Sequence, residues 1–70
     1  EDIPLLVDKF LEDIANEYGT KKKIIRENAI AKLLEYNWSG NIRELRNVTE
    51  RLVIMCGDEI IDQDVIKYLV

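Results

Sequence analysis

Apolar residues recur along the chain at the three- and four-residue spacing that is typical of amphipathic α-helices. The first helix is predicted from about residue 3 to residue 18, where Asp2 can cap its start and Gly19 can stop it. Pro4 is tolerated because it lies in the first turn. Leu5 lies off the apolar stripe, so we expect it to be exposed or to contact a neighbouring domain. The predicted core positions are Ile3, Leu6, Val7, Phe10, Leu11, Ile14, Ala15 and Tyr18.

Three further helices are predicted at about residues 27–36, 41–56 and 62–69. Asn41 and Glu44 resemble a capping box at the start of the third helix, and Gly57 is expected to end it. The predicted core positions are Ala29, Ile30, Leu33 and Leu34 in the second helix, Ile42, Leu45, Val48 or Thr49, Leu52, and Met55 or Cys56 in the third, and Val65, Ile66 and Leu69 in the fourth. No segment alternates with a period of two residues. The predicted fold is all-α, a small bundle-like set of four helices with the third at its centre.

The composition excludes several classes of function. The 70 residues carry a net charge of −4 and include one cysteine and no histidine. Ser-His and Cys-His catalysis are therefore excluded, and a metal site built from nitrogen and sulfur has almost no ligands. The acidic balance argues against a nucleic-acid interface, which should be basic on at least one face. A single cysteine, with neither a signal peptide nor an apolar run near the roughly 20 residues of a membrane span, predicts a cytoplasmic protein.

The segment "NWSGNIREL", residues 37–45, joins the second and third helices. Trp38 is predicted to fill the core where the two helices meet, and Leu45 lies on the core stripe of the third helix. Gly40 permits a tight turn, and Asn41 can satisfy free amides at the helix start. These four assignments are structural and would suit any pair of connected helices.

Arg43 raises a different question, because a cation in the first turn of a helix faces the positive end of the helix dipole. The cost is roughly 0.3–1 kcal/mol. A helix N-terminus beside a guanidinium is a good place to receive a phosphate, with Asn47 one turn further along the same polar strip. Alternatively, Arg43 is a solvated side chain held by Glu44 or Glu50. The spacing alone leaves both interpretations open.

The segment "YNWSGNIRELRNVTERLVIMCGDEIIDQDV" resembles the signature Y-P-W-P-G-N-V-R-E-L-x-N and its continuation in the sigma-54-dependent transcriptional activators, which are NtrC-like AAA+ ATPases. The segment "EDIPLLVDKFL" is similar to the R-x-E-D-I-P-L-L stretch that begins their helical C-terminal subdomain, the lid. Asn37 and Ser39 stand where proline is usual, which should loosen the turn. The resemblance covers nearly the whole chain and implies a lid subdomain excised from a larger protein.

In that family, the arginine of G-N-x-R-E-L is the sensor II residue, which reaches from the lid toward the nucleotide phosphates. The resemblance therefore implies that Arg43 contacts ATP, with Asn47 as a candidate support and Mg²⁺ present in the parent protein. It also implies three partners: the α/β subdomain of the same module, neighbouring subunits of a ring, and sigma-54 RNA polymerase. DNA would be bound only through another domain, and no membrane is implied.

The chain contains no G-x-x-x-x-G-K-[ST] phosphate loop, so we expect no ATP hydrolysis by this segment alone. Two alternative functions are a helix-turn-helix nucleic-acid-binding module and a helical protein-interaction domain. The Lys21–Lys23 run could contact a phosphate, although a short run of lysines is usually solvated surface.

Overall fold

Four α-helices and one pair of short strands are present in a computed structural model that describes residues 2–38 and 42–68. In chain order the elements are α1 (Ile3–Tyr18), β1 (Ile24–Ile25), α2 (Glu27–Leu34), α3 (Ile42–Met55), β2 (Glu59–Ile60) and α4 (Asp62–Tyr68). Helix α3 packs against both α1 and α4, and α2 packs against α4. The predicted all-α class is confirmed, with the short strands as an addition that the sequence pattern did not show.

Helix α1 begins and ends as its sequence predicts. The Asp2 carboxylate accepts a hydrogen bond from the Leu5 backbone N–H at 3.5 Å. Gly19 takes a left-handed conformation with φ at 66°, which a side chain would strain, and its N–H donates to the Asn16 carbonyl. Leu5 is 68% exposed, in keeping with its position off the apolar stripe.

The core combines side chains from all four helices, from β2 and from the segment that follows α2. Both Val48 and Thr49 are buried, although the sequence suggested one or the other. The Thr49 hydroxyl donates to the Leu45 carbonyl at 2.8 Å, so this buried polar group is satisfied. Burial also extends to Val53, because α3 faces two helices and its apolar stripe must be wide. The core cluster comprises Val7, Leu11, Ile14, Ala29, Leu33, Trp38, Leu45, Val48, Leu52, Val53, Ile60 and Val65.

Helix α2 is shorter than predicted, ending at Leu34 instead of Tyr36. The backbone N–H groups of Glu35 and Tyr36 donate to the carbonyls three residues earlier, at 3.2 and 3.1 Å. This tighter turn ends the α-helical pattern, because the four-residue spacing of its hydrogen bonds is lost. Leu34 is consequently 51% exposed, so its predicted core position was wrong.

Three other predicted core positions are also exposed, namely Tyr18, Ile42 and Ile66. The first two lie at the ends of their helices, where the adjacent helix no longer covers every side of the apolar stripe. Ile66 lies in a helix of seven residues that buries only Val65 among its described residues. Of the pair Met55 and Cys56, Cys56 packs against the core and Met55 is exposed. Leu69 lies outside the described residues.

The two strands form a short parallel ladder that places α2 beside α4. Ile24 pairs with Glu59, and Ile25 pairs with Ile60. The Ile24 N–H donates to the Asp58 carbonyl at 3.0 Å. The side chain of Ile60 in β2 is fully buried. Each strand immediately precedes a helix, so the ladder sets the starting points of α2 and α4 side by side.

An ion pair between Arg26 and Glu59 lies beside this ladder. The Arg26 guanidinium contacts both Glu59 carboxylate oxygens, with Nη2–Oε2 at 2.6 Å and Nε–Oε1 at 3.1 Å. This hydrogen bonding, followed by the charge of Arg26, lowers the pKa of Glu59. Since the folded-state pKa is lowered, the pair stabilises the fold above the ordinary carboxyl pKa, and this contribution is lost as the pH falls through the lowered value.

We therefore expect the Arg26→Gln variant to raise the Glu59 pKa toward its ordinary value. Carbon-detected NMR titration of the Glu59 carboxyl in the two proteins measures this directly. Lys9→Gln, which removes a different exposed cation, is the matched control and should leave the Glu59 titration unchanged. An unaltered Glu59 titration in Arg26→Gln would show that the ion pair does not form in solution.

Candidate functional site

Trp38 packs into the core just beyond the end of α2. Its side chain is only 8% exposed, and its indole Nε1–H donates to the Leu33 carbonyl at 2.6 Å. The Leu33 carbonyl thus accepts two hydrogen bonds at the end of α2, one from the Tyr36 N–H and one from the indole. The Tyr36 ring lies 6.1 Å from the Trp38 ring in a tilted arrangement. The predicted turn residues Gly40 and Asn41 lie outside the described residues.

Arg43 lies in the first turn of α3 and is exposed. Leu45, two residues later, is fully buried and fixes which side of α3 faces the core. Two residues correspond to a rotation of about 200° around a helix, so Arg43 projects on the side away from Leu45. Asn47 follows Arg43 by one turn and is also exposed, so the two share one face.

Glu44 and Glu50 are the two carboxylates that the sequence offers as partners of Arg43. Arg43 forms no hydrogen bond or ion pair with the residues at 2–38 and 42–68. Glu50, one of the two candidate partners, instead binds Tyr18 and Arg46. Glu44 is exposed in the same turn as Arg43.

A hydrogen-bonded network between α1 and α3 was missed by the sequence analysis. Arg46 Nη2 lies 2.6 Å from Glu17 Oε2, and Arg46 Nη1 lies 3.3 Å from Glu50 Oε1. The Tyr18 hydroxyl donates to the other Glu50 oxygen, and this bond raises the Tyr18 pKa. We call these four residues the α1–α3 network.

The spacing of Arg46 and Glu50 by four residues was a signal in the sequence, whereas the contacts with Glu17 and Tyr18 depend on helix packing.

Two lysines of the Lys21–Lys23 run hold their loop against the body of the domain. Lys22 Nζ lies 2.8 Å from Asp8 Oδ1, and hydrogen bonding to this carboxylate raises the pKa of Lys22. Lys23 Nζ donates to the Cys56 carbonyl at 3.1 Å, just beyond the C-terminus of α3. A cation at a helix C-terminus is favourable because it faces the negative end of the dipole. These contacts give Lys22 and Lys23 a structural role.

Helix α3 ends at Met55, two residues before the glycine that the sequence predicts as its end. Gly19 alone among the described glycines has a positive φ, so Gly57 does not act as a left-handed stop. Instead, the Cys56 N–H still donates to the Leu52 carbonyl at 2.9 Å, and Lys23 binds the Cys56 carbonyl. The helix end is therefore satisfied from another part of the chain.

The Cys56 thiol should react slowly with alkylating reagents in the folded protein. Burial and the negative charge of Asp64 raise its pKa to about 11. At pH 7 roughly one thiol in 10,000 is then ionised, and the thiolate is the reactive form. We expect iodoacetamide to modify Cys56 far more slowly than free cysteine at pH 7, and mass spectrometry of a time course measures the rate. Equal rates for the folded chain and free cysteine would contradict the raised pKa.

Within the part of the chain that the structure describes, no three cysteine, aspartate or glutamate side chains come together in a way that could hold a metal ion. Nor is any helix in those residues both long enough and apolar enough to cross a membrane. The exposed face of Arg43 and Asn47 is the candidate site predicted from the sequence.

Comparison with known families decides what kind of domain carries this site. Residues 1–69 match the model of the AAA+ ATPase lid domain family. The chain belongs to this family. The family inferred from the W-x-G-N-x-R-E-L pattern and the predicted all-α fold are confirmed.

Its relatives are bacterial transcriptional regulators. The lid domain is 51% identical over 59 residues to the alginate biosynthesis regulator AlgB of Pseudomonas syringae, covering 84% of this chain and 13% of AlgB. It is 43% identical over 65 residues to the DNA-binding regulator NtrC of Proteus hauseri, covering 91% of this chain and 14% of NtrC. Over 55 residues it is 51% identical to XylR of Pseudomonas putida, covering 79% of this chain and 10% of XylR. The chain therefore spans a small part of the length of each relative.

Proposed function

We propose that this lid domain closes over the nucleotide of an AAA+ ATPase and presents Arg43 to the nucleotide phosphates as the sensor II residue. The observation that supports this most directly is the exposed guanidinium of Arg43 at the start of α3. It has no partner among the described residues, and it lies in a domain of the lid family. Asn47, on the same face, is proposed to support the contact through its amide.

The physical chemistry of this position favours a phosphate ligand. The free amides and positive dipole of a helix N-terminus attract an anion, and a guanidinium adds a planar pair of N–H donors. For α3 alone, Arg43 is slightly unfavourable, by roughly 0.3–1 kcal/mol. A residue that is unfavourable for its own helix is often retained for function. A partner that brings negative charge from outside the domain would offset the unfavourable interaction.

The whole protein is proposed to be a cytoplasmic sigma-54-dependent transcriptional activator. Its relatives AlgB, NtrC and XylR are transcriptional regulators of which this chain covers 10–14%. We propose that the α/β subdomain of the same module holds ATP and Mg²⁺, which supply the phosphoryl chemistry when bound. Subunits would form a ring, and movement of the lid would couple hydrolysis to remodelling of sigma-54 RNA polymerase. DNA would be bound by a separate domain.

Nucleotide binding by the full-length protein tests the role of Arg43. We expect Arg43→Ala to weaken the affinity for a fluorescent ATP analogue by about tenfold or more, since a charge-assisted bond to phosphate is lost. Arg51→Ala is the matched control, because Arg51 is an exposed arginine two turns further along the same helix. Arg51 donates to the Tyr68 carbonyl, so its loss should leave the affinity unchanged. Equal affinities for the wild type and Arg43→Ala would refute the proposal.

A further inference from the structure

The α1–α3 network joins the last turn of α1 to the half of α3 that carries Arg43. Arg46 is its centre, with one guanidinium nitrogen directed to Glu17 on α1 and another to Glu50 on α3. Tyr18 completes the connection by donating from α1 to Glu50. Arg46 follows Arg43 by three residues, which is a rise of about 4.5 Å along the helix. Arg46 therefore lies within one turn of the candidate phosphate contact, and Glu50 lies about two turns from it.

The other contacts of this part of α3 do not fix its rotation as strictly. Leu45 and Val48 are buried, but apolar packing is non-directional. Two hydrogen bonds cross between α3 and α1, from Arg46 to Glu17 and from Tyr18 to Glu50. Because these bonds are directional, they restrain the rotation and the height of α3 against α1.

A small rotation would matter for Arg43. An atom about 6 Å from the helix axis moves by roughly 1 Å when the helix rotates by about 10°. A misplacement of about 1 Å at a reacting centre can lower a rate by up to about 100-fold. The precision with which α3 is held thus determines how well Arg43 can meet a phosphate.

We propose that the α1–α3 network is a positioning device that orients Arg43 toward the nucleotide. This inference rests on the proposed function of Arg43. The network contributes little to stability by itself, because the Arg46 side chain is 31% exposed and that of Glu17 is 54% exposed. Its proposed effect is a small bias toward the rotation of α3 in which Arg43 faces the nucleotide.

A double-mutant cycle in the full-length protein tests this inference. Tyr18→Phe removes the hydroxyl that donates to Glu50, and Glu17→Ala removes the carboxylate that accepts from Arg46. In the wild-type background we expect each to lower kcat/KM for ATP by about threefold to tenfold. In the Arg43→Ala background neither should lower it further, because the network acts through Arg43. If turnover of the Arg43→Ala protein is too slow to measure, the affinities of the same variants for the fluorescent ATP analogue are compared instead.

A matched ion pair elsewhere in the domain separates positioning from general destabilisation. Arg26→Gln breaks the Arg26–Glu59 pair, which joins the two strands and has no contact with the network. It should leave kcat/KM unchanged, and the melting temperatures of the three single variants should be similar.

Three results distinguish the possible failures. Equal losses from Tyr18→Phe in the wild-type and Arg43→Ala backgrounds would overturn the positioning role. Wild-type activity of both network variants, together with impaired activity of Arg43→Ala, would also overturn the positioning role. The proposed function of Arg43 would stand in that case. Wild-type activity of Arg43→Ala would overturn both proposals together.

Discussion

Replacing Trp38 with alanine should lower the free energy of unfolding by about 3–5 kcal/mol, the usual range for removing a large buried aromatic side chain. Trp38 is 8% exposed, and its indole donates to the Leu33 carbonyl at 2.6 Å. The variant therefore loses apolar burial, leaves a cavity and removes one hydrogen bond at the end of α2. At roughly 0.05–0.15 kcal/mol per residue, a chain of 70 residues has about 4–10 kcal/mol of stability, of which this variant loses a large share. Thermal and urea denaturation should show a much lower melting temperature and urea midpoint than the wild type.

Two further variants separate the contributions of Trp38. Trp38→Phe keeps an aromatic ring but removes the indole N–H, and should cost less than the alanine variant because only part of the volume and one hydrogen bond are lost. Tyr36→Ala is the matched control, because this neighbouring aromatic is exposed and should change stability by about 0.5 kcal/mol at most. Fluorescence typical of a fully exposed indole, together with an unchanged melting temperature of Trp38→Ala, would contradict the structure.

Much of the fold could be predicted because local signals and packing agree. In α1 the capping residue, the apolar spacing and the terminal glycine all indicate one helix, and its bounds follow from them. Helix α2 ends in a tighter turn beside the buried Trp38, and its apolar spacing alone does not show where the α-helical hydrogen bonds stop. The apolar residues misassigned to the core lie mainly at helix ends, where local spacing does not show how far the neighbouring helix extends.

The strands and the α1–α3 network could not be predicted for a related reason. A strand of two residues is too short to show any periodicity, and the partners β1 and β2 are 35 positions apart in the register of Ile24 with Glu59. Arg46 and Glu17 are 29 positions apart and meet only because α1 and α3 pack together. A residue pattern reports which face of a helix is buried, but not which polar side chains meet at its border.

The candidate site was predicted in part. The exposure of Arg43 follows from its place off the apolar stripe, and the structure places it on the side of α3 away from Leu45. Engagement of Glu50 by Arg46 and Tyr18 removes one of the two carboxylates that the sequence offered as a partner. A phosphate contact cannot be read from spacing, because the ligand would be held mainly by another subdomain. For that reason the role of Arg43 stays a proposal that depends on the family.

Replacing Arg43 with alanine should leave the stability of the 70-residue chain nearly unchanged while lowering ATP turnover of the full-length protein by on the order of 100-fold. Stability is preserved because Arg43 is exposed, has no partner among the described residues and faces the positive end of its helix dipole. Turnover falls because the guanidinium is proposed to stabilise charge on the phosphates that increases in the transition state. Thermal melts of the chain and steady-state hydrolysis by the full-length protein measure the two effects.

The Arg43→Lys variant sharpens this test. Lysine keeps the positive charge but lacks the planar pair of donors, so it should restore turnover only in part. Arg51→Ala should retain wild-type turnover, since Arg51 is an exposed arginine of the same helix that binds the Tyr68 carbonyl. Full rescue by lysine would mean that charge alone is sufficient at this position. Undiminished turnover by Arg43→Ala would mean that the exposed guanidinium is ordinary solvated surface, and the slight cost to its own helix would then have no functional explanation.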